Sequence, residues 1–365
     1  MNCSGNDTAY LVLEDGLVFE GFRFGSKNNV KGEVVFTTSM NGYVESLSDP
    51  SYKGQILAIT HPLVGNYGVP EKIRRNGILS NFESENIQVS GLIVGEITNG
   101  SEWNSEKSLE KWLEEESVPG ISGIDTRSLA IHIRDKGAMA GVISNEKEFG
   151  SKKDYESINF VDMVSIKRPM VYENKGPTVV VMDYGLKEGI LDCIYSMGYS
   201  IARLPYNSTE KQVLSYNPYG IVLTNGPGNP MLLGEEAKTV AKLIEHKIPM
   251  LGICLGHQLV AMASGMKIRK MGFGHRAINK GVIELGTGRC MITTHNHGYE
   301  VFGDVPDGIE VSYVSLDDKT IEGMIMKSHN VMTVQFHPEA RPGTKDGLRI
   351  FELFDSSIKG FIDGK

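Results

Sequence analysis

Cysteine is scarce: only Cys3, Cys193, Cys254 and Cys290 occur in 365 residues, and no two form a CxxC pair. That spacing supports neither a disulfide framework nor a zinc knuckle. A GxxxxGK[ST] loop is lacking, so no phosphate cradle of that type is expected in the chain. An excess of positive charge is lacking too. Asp and Glu number 45 against 37 Lys and Arg, for a formal net charge of −8, which argues against gripping nucleic acid through its phosphates. Residues 248–265 run without a formal charge, but Pro249, Gly252, Gly256, His257, Gln258 and Ser264 interrupt them. Too many breakers and polar groups stand there for a membrane span. The start, Met1-Asn-Cys-Ser-Gly-Asn6, has no charged-then-apolar order of a signal peptide. These absences lead to the expectation of a soluble, reducing, cytoplasmic protein.

Glycine is plentiful, at 42 of 365 residues, well above the roughly 7% average. Without repeats, such an excess suggests many tight turns and close backbone approaches, as in a loop-rich α/β enzyme. An apolar fraction of 40% and a charged fraction of 22% exclude a disordered or fibrous chain. The length suggests two domains.

Short β-type runs at residues 10–13, 17–19, 34–36 and 55–59 alternate with glycine turns. A helix is predicted over 108–116, where Leu109, Trp112 and Leu113 recur at helical spacing, and a second over 126–136 with Leu129, Ile131 and Ile133. This half, residues 1–150, reads as a mixed α/β domain. Residues 151–176, polar and punctuated by Pro169 with Lys152, Lys153, Asp154, Glu156, Lys167 and Arg168, read as a linker. Residues 177–365 then alternate strands (178–182, 220–224, 248–253) with helices (186–197, 234–247, 255–263). That order predicts βαβ units and a central, mostly parallel sheet flanked by helices, with its site beyond the carboxyl ends of the strands.

Gly252-Ile-Cys254-Leu-Gly256 falls at a strand-to-helix junction. G-x-C-x-G is the thiol form of a nucleophile elbow, in which flanking glycines allow a tight, strained turn and the helix N-terminus favours negative charge on sulfur. Taken alone it equally describes a buried structural cysteine beside two turn glycines. A nucleophile needs a base, and the base an orienting group. Residues 331–336 read as a strand with His337-Pro338-Glu339 at its end, where i and i+2 project together. Asn225-Gly226-Pro227-Gly228 ends another strand; it suits an oxyanion hole or a carboxylate contact, or is simply a turn. Gly272-Phe-Gly-His-Arg-Ala277 matches a loose dinucleotide pattern, but Lys267, Arg269 and Lys270 stand where an apolar strand should precede it. His295-Asn296-His297 is compatible with a metal site including His337, yet no third ligand stands at typical spacing.

Taken together, the Gly226–Gly228 loop, the 252–258 elbow, Asn296-His-Gly298 and Gln335-Phe-His-Pro-Glu339 resemble the class I, triad-type glutamine amidotransferases. Thr38-Ser-Met-Asn-Gly-Tyr43, Asp49-Pro-Ser-Tyr52, Gly120-Ile-Ser-Gly-Ile-Asp-Thr-Arg127 and Arg134-Asp-Lys-Gly137 resemble the first domain of the carbamoyl-phosphate synthase small subunits. The resemblance implies Cys254 as nucleophile, His337 as acid and base, and Glu339 as its orienting group. It further implies that Leu255 lends an oxyanion N–H, and that Ser39, Gly226, Gly228, Gln258, Asn296, Gly298 and Tyr299 hold glutamine, Ser39 reaching across from the first domain. Tyr299 stands where Phe is also expected. After Asp183-Tyr-Gly-Leu-Lys187, Glu188-Gly189 replaces an expected Arg/Asn pair, which bears on local interface or turn detail. No metal or cofactor is implied in this chain. ATP and magnesium are implied on a large partner subunit, which would receive ammonia through a tunnel and make carbamoyl phosphate for pyrimidine and arginine synthesis, with heterodimers assembling further. A glutaminase of another synthase and a non-catalytic scaffold are the alternatives.

Overall fold

A strand presents unpaired backbone groups at each edge, and a sheet closed on itself has none. Seven strands of the computed structural model close in this way, in the order Thr8–Leu13, Met139–Ser144, Val30–Thr37, Gln55–Ile59, Gly91–Val94, Pro119–Ser122 and Val18–Gly25. The structure describes residues 8–98, 100, 104–151 and 154–364; Cys3 and the rest of residues 1–6, Lys152 and Lys153 lie outside them. Strand alternation sorts the side chains. Ala9, Leu11, Leu13, Ile56, Ala58, Ile93, Ile121 and Ile143 fill one core. Val35, Leu57, Leu92 and Val94 face the other way and pack with Leu47, Leu109, Trp112 and Leu113.

The two predicted helices of this half form. Leu109–Glu115 starts where the Ser108 side chain accepts from the Lys111 N–H, and Thr126–Lys136 where Asp125 accepts from Ser128. Gly137, at φ +97°, ends the second. Leu129 and Ile133 are buried four residues apart, whereas Ile131 lies on the exposed face, because a two-residue step on a helix turns about 200°.

The second half builds a ten-stranded sheet in the order Met170–Tyr172, Ser200–Pro205, Thr178–Asp183, Gly220–Leu223, Met250–Ile253, Val331–Val334, Ile321–Met326, Glu310–Ser315, Lys267–Glu284 and Cys290–Phe302. Ser200–Pro205 through Val331–Val334 run parallel, and every other neighbouring pair is antiparallel. The parallel expectation therefore describes the centre of the sheet, not its far end. The hairpin of Lys267–Glu284 and Cys290–Phe302 has too many charges and glycines near residues 267–276 to read as an apolar strand. Met170–Tyr172, in the segment read as a linker, is the opposite edge strand.

Successive central residues point to opposite faces. Val180 and Met182 pack with the helices Gly234–Glu245 and Leu255–Ala263, and Val179 and Val181 with Glu188–Ser196 and Arg349–Asp363. Two covered faces explain strands that are apolar throughout. Among the described residues no helix is long and apolar enough to cross a membrane.

Candidate active site

Cys254 sits between the Met250–Ile253 strand and the Leu255–Ala263 helix at φ +53°, ψ −102°, a conformation strained for a residue with a side chain. Close approach explains its glycines. A Cβ on Gly256 would lie 2.2 Å from the Leu223 carbonyl oxygen, and one on Gly252 2.8 Å from that of Gly256. The Cys254 N–H donates to the Val334 carbonyl (2.8 Å), which ties the elbow to the strand leading into His337. The buried Sγ lies 3.8 Å from the Asn296 carbonyl oxygen.

The His337 N–H donates to the Thr294 carbonyl (2.8 Å), which holds the chain extended past the end of the strand. Nδ1 of His337 is then 2.9 Å from Oε1 of Glu339, the i, i+2 pairing expected of extended backbone. Lys187 Nζ lies 2.6 Å from the same carboxylate oxygen and donates to the Arg341 carbonyl (2.6 Å). Arg341 in turn pairs with Glu83 of the barrel half at 2.8 Å.

Burial by itself would push Glu339 toward its neutral form, but the charges of Lys187 and His337 overcome it and hold the carboxyl well below the usual range. Burial likewise disfavours imidazolium at His337. Glu339 prevails there with help from Cys254, and the histidine is raised to about 10. His337 is thus a proton-carrying group at neutral pH. Its Nε2 makes no geometrically complete hydrogen bond among the described residues.

Beside Cys254 opens a cleft of about 750 Å³, mouth included. Gly226, Gly228, Gln258, Asn296, Gly298 and Tyr299 line it together with Cys254, as do Glu33, Ser51, Lys53 and Gln55 of the barrel half. Gln258 donates both amide hydrogens to protein oxygens, those of the Tyr299 carbonyl and Gln335 Oε1, each at 3.0 Å, so it can offer a ligand only its carbonyl oxygen. Leu255 is the first residue of the elbow helix, where N–H groups have no partner within the helix. The Gly226 loop packs against it: a Cβ on Gly226 would be 2.7 Å from Leu255 Cδ2 and 2.1 Å from the Tyr184 carbonyl oxygen.

Ser39 lies apart from this lining. Its hydroxyl is 2.9 Å from that of Thr37, which donates to the Arg276 carbonyl at 3.3 Å. The barrel half reaches the site more directly through Asp49, which accepts from Asn296 Nδ2 (3.0 Å), and Ser51, which accepts from Asn225 Nδ2 (2.9 Å). Glu188 and Gly189 are at the interface between the halves: Glu188 accepts from the Leu79 N–H and the Gly189 N–H donates to Glu83, each at 3.0 Å.

Two cations escaped sequence reasoning. Lys187 closes a segment read only for its resemblance. Arg276 lies in the Gly272–Ala277 stretch set aside as a false dinucleotide motif, and it is buried in the cleft wall with Nη1 bonded to the Phe273 carbonyl (2.6 Å). The His295 and His297 rings meet one another within the fold, His297 also bordering the cleft. Their neighbours are His275 and Glu322, from the Lys267–Glu284 and Ile321–Met326 strands, the four ligand atoms lying within 4.8 Å of one another. The third and fourth members are about twenty and twenty-five residues from the pair, beyond the reach of a spacing motif.

Residues 11–143 match the family model described as carbamoyl-phosphate synthase small chain, CPSase domain, and residues 180–356 that described as glutamine amidotransferase class-I. A carbamoyl phosphate synthase small chain of Saccharolobus solfataricus is 52% identical, over 97% of this chain and 99% of its own. One from Sulfolobus acidocaldarius is 49% identical, over 99% and 100%. An arginine-specific small chain of Neosartorya fischeri is 40% identical, over 98% of this chain and 81% of its own.

Proposed function

Because the chain belongs to the carbamoyl-phosphate synthase small-chain family, and so is the glutaminase subunit that works with a large chain, we propose that Cys254, His337 and Glu339 carry the hydrolysis of glutamine. The observation that supports this most is the join between Cys254 and the strand leading to a buried His337–Glu339–Lys187 relay, beside a cleft containing a buried arginine.

In this reading Arg276 faces the carboxylate end of glutamine, and Gln258 offers its oxygen to the ammonium group. The Cys254 sulfur attacks the side-chain carboxamide carbon, forming a C–S bond and placing charge on oxygen. The N–H groups of Leu255 and of a glycine in the Gly226–Gly228 loop receive that charge; one such donor is typically worth on the order of 100-fold in rate. His337 gives its proton to nitrogen as the C–N bond breaks, releasing ammonia and leaving a γ-glutamyl thioester. Water then attacks the thioester, His337 takes a proton from it, and the thiolate leaves with glutamate as product. Glu339 keeps His337 oriented and favours its charged form. Ser39 acts through Thr37 on the position of Arg276.

Ammonia passes to the large chain, where ATP and magnesium are expected to act. Assembly of heterodimers into a larger particle and a cytoplasmic location complete the reading. Cys254→Ala, assayed with the large chain, should fold and bind its partner, lose glutamine-dependent carbamoyl phosphate formation and keep the ammonia-dependent reaction. Retained glutamine-dependent synthesis would remove Cys254 from the chemistry, whereas a wild-type chain that confers no glutamine-dependent synthesis on the large chain would point to a scaffold role.

A further inference from the structure

Side chains alternate across a strand, so the hairpin that presents Asn296 to the cleft turns its neighbours to the rear. His295 and His297 flank Asn296 on one strand, and His275 stands opposite His297 in register on the other. Glu322 enters from the Ile321–Met326 strand. All four residues are buried. Their facing atoms are close: His295 Nδ1 to His297 Nε2 is 3.3 Å, His275 Nδ1 to Glu322 Oε1 3.5 Å, His295 Nδ1 to Glu322 Oε2 3.6 Å, and His297 Nε2 to Glu322 Oε1 4.0 Å.

We propose that His275, His295, His297 and Glu322 bind one zinc ion in a closed, structural site behind the glutamine cleft. Zinc bonds of about 2.0–2.1 Å in tetrahedral array place neighbouring ligand atoms about 3.3–3.4 Å apart, so the closest pairs need a contraction of a few tenths of an ångström and the widest, within 4.8 Å of one another, a rotamer adjustment of up to an ångström or more. The outer nitrogens are already engaged by oxygen. His275 Nε2 is 2.8 Å from Asp318 Oδ2, His295 Nε2 2.8 Å from Thr293 Oγ1, and His297 Nδ1 3.0 Å from the Tyr299 carbonyl. Each of these fixes a ring and its tautomer so that the inner nitrogen offers a lone pair, the usual support of a metal-bound histidine.

Without an ion, His275 Nδ1 and Glu322 Oε2 are buried with no hydrogen-bond partner among the described residues, a costly state for polar atoms. A divalent cation satisfies both, and the charges of Glu322 and Asp318 offset its own. Three imidazoles and a carboxylate suit zinc rather than calcium or magnesium. Four protein ligands leave no open position, which makes the site structural rather than catalytic. Its role is to pin the rear of the hairpin whose front carries Arg276, Asn296 and Gly298.

The test is metal analysis of the untagged full-length chain, grown with zinc and dialysed against metal-free buffer. About one zinc per chain should remain, and chelator-treated protein should take up Co²⁺ with the intense visible bands of a tetrahedral site. Glu322→Gln and His295→Gln should each weaken zinc binding by about 100-fold or more, by analogy with the 10–100-fold cost of losing only an outer-shell partner. Removing the metal should lower the melting temperature and raise the KM for glutamine, with zinc but not magnesium restoring both. Wild-type chain that is folded by circular dichroism yet holds less than about a tenth of an equivalent of zinc, and gives no tetrahedral Co²⁺ spectrum, overturns the proposal whatever the variants do.

Discussion

Lys187→Met removes one charge from the buried relay while keeping most of the side-chain volume. Lys187 Nζ stands 2.6 Å from Glu339, with both side chains almost fully out of water. At an effective dielectric of about 20, unit charges that close attract by about 6 kcal/mol before desolvation is subtracted. Removing one partner of a buried pair typically costs about 3–5 kcal/mol, because the other charge is left uncompensated. Unfolding free energy should fall by that amount. Catalysis should suffer separately. Lys187 is the leading charge holding Glu339 ionised, and a carboxyl that takes up a proton no longer supports His337 as imidazolium. The expected loss in kcat is on the order of 100-fold, about 3 kcal/mol of transition-state stabilisation. Lys187 also opposes protonation of His337 directly. Any active fraction in which Glu339 stays ionised should therefore show an alkaline limb shifted upward. The assay is glutamine-dependent ammonia release with the large chain, ATP and bicarbonate present, beside ammonia-dependent synthesis as a control for folding and assembly. A kcat within threefold of wild type, with unfolding free energy changed by less than about 1 kcal/mol, would refute the relay.

Arg276→Met should raise the KM for glutamine by about tenfold or more with a smaller effect on kcat, as for loss of a charge-assisted hydrogen bond of about 1.5–3 kcal/mol; an unchanged KM would take the arginine out of substrate binding. Stability should also follow pH in a stated direction. His337, raised from 6.5 to about 10, contributes stability that is complete below pH 6.5 and lost as pH rises through 10. Glu339, lowered from 4.5, contributes above that value and loses its contribution as pH falls. The pair therefore stabilises most between pH 4.5 and 6.5. Denaturant titrations should show wild type losing more stability than Glu339→Gln between pH 6.5 and 10; parallel curves would contradict the coupling.

What the sequence determined by itself was local. Apolar spacing placed the helices Leu109–Glu115 and Thr126–Lys136, and the strand-to-helix elbow placed Leu255–Ala263, within a residue or two. The elbow was legible because its glycines flank the cysteine within one short stretch of chain, Gly252 answering to the Gly256 carbonyl four residues on, and His337 with Glu339 because two residues of extended backbone suffice to aim them together. Tertiary structure decided the rest. Lys187 reaches Glu339 across 152 positions, and Asp49 reaches Asn296 across 247. Arg276 and the His275–His295–His297–Glu322 cluster depend on the register of a long antiparallel hairpin that carries no continuous apolar run. Such contacts bring together groups whose pairing leaves no periodicity in the chain. Their strength comes from burial, which lowers the dielectric around a charge and makes its partner indispensable, and burial is a property of the folded molecule.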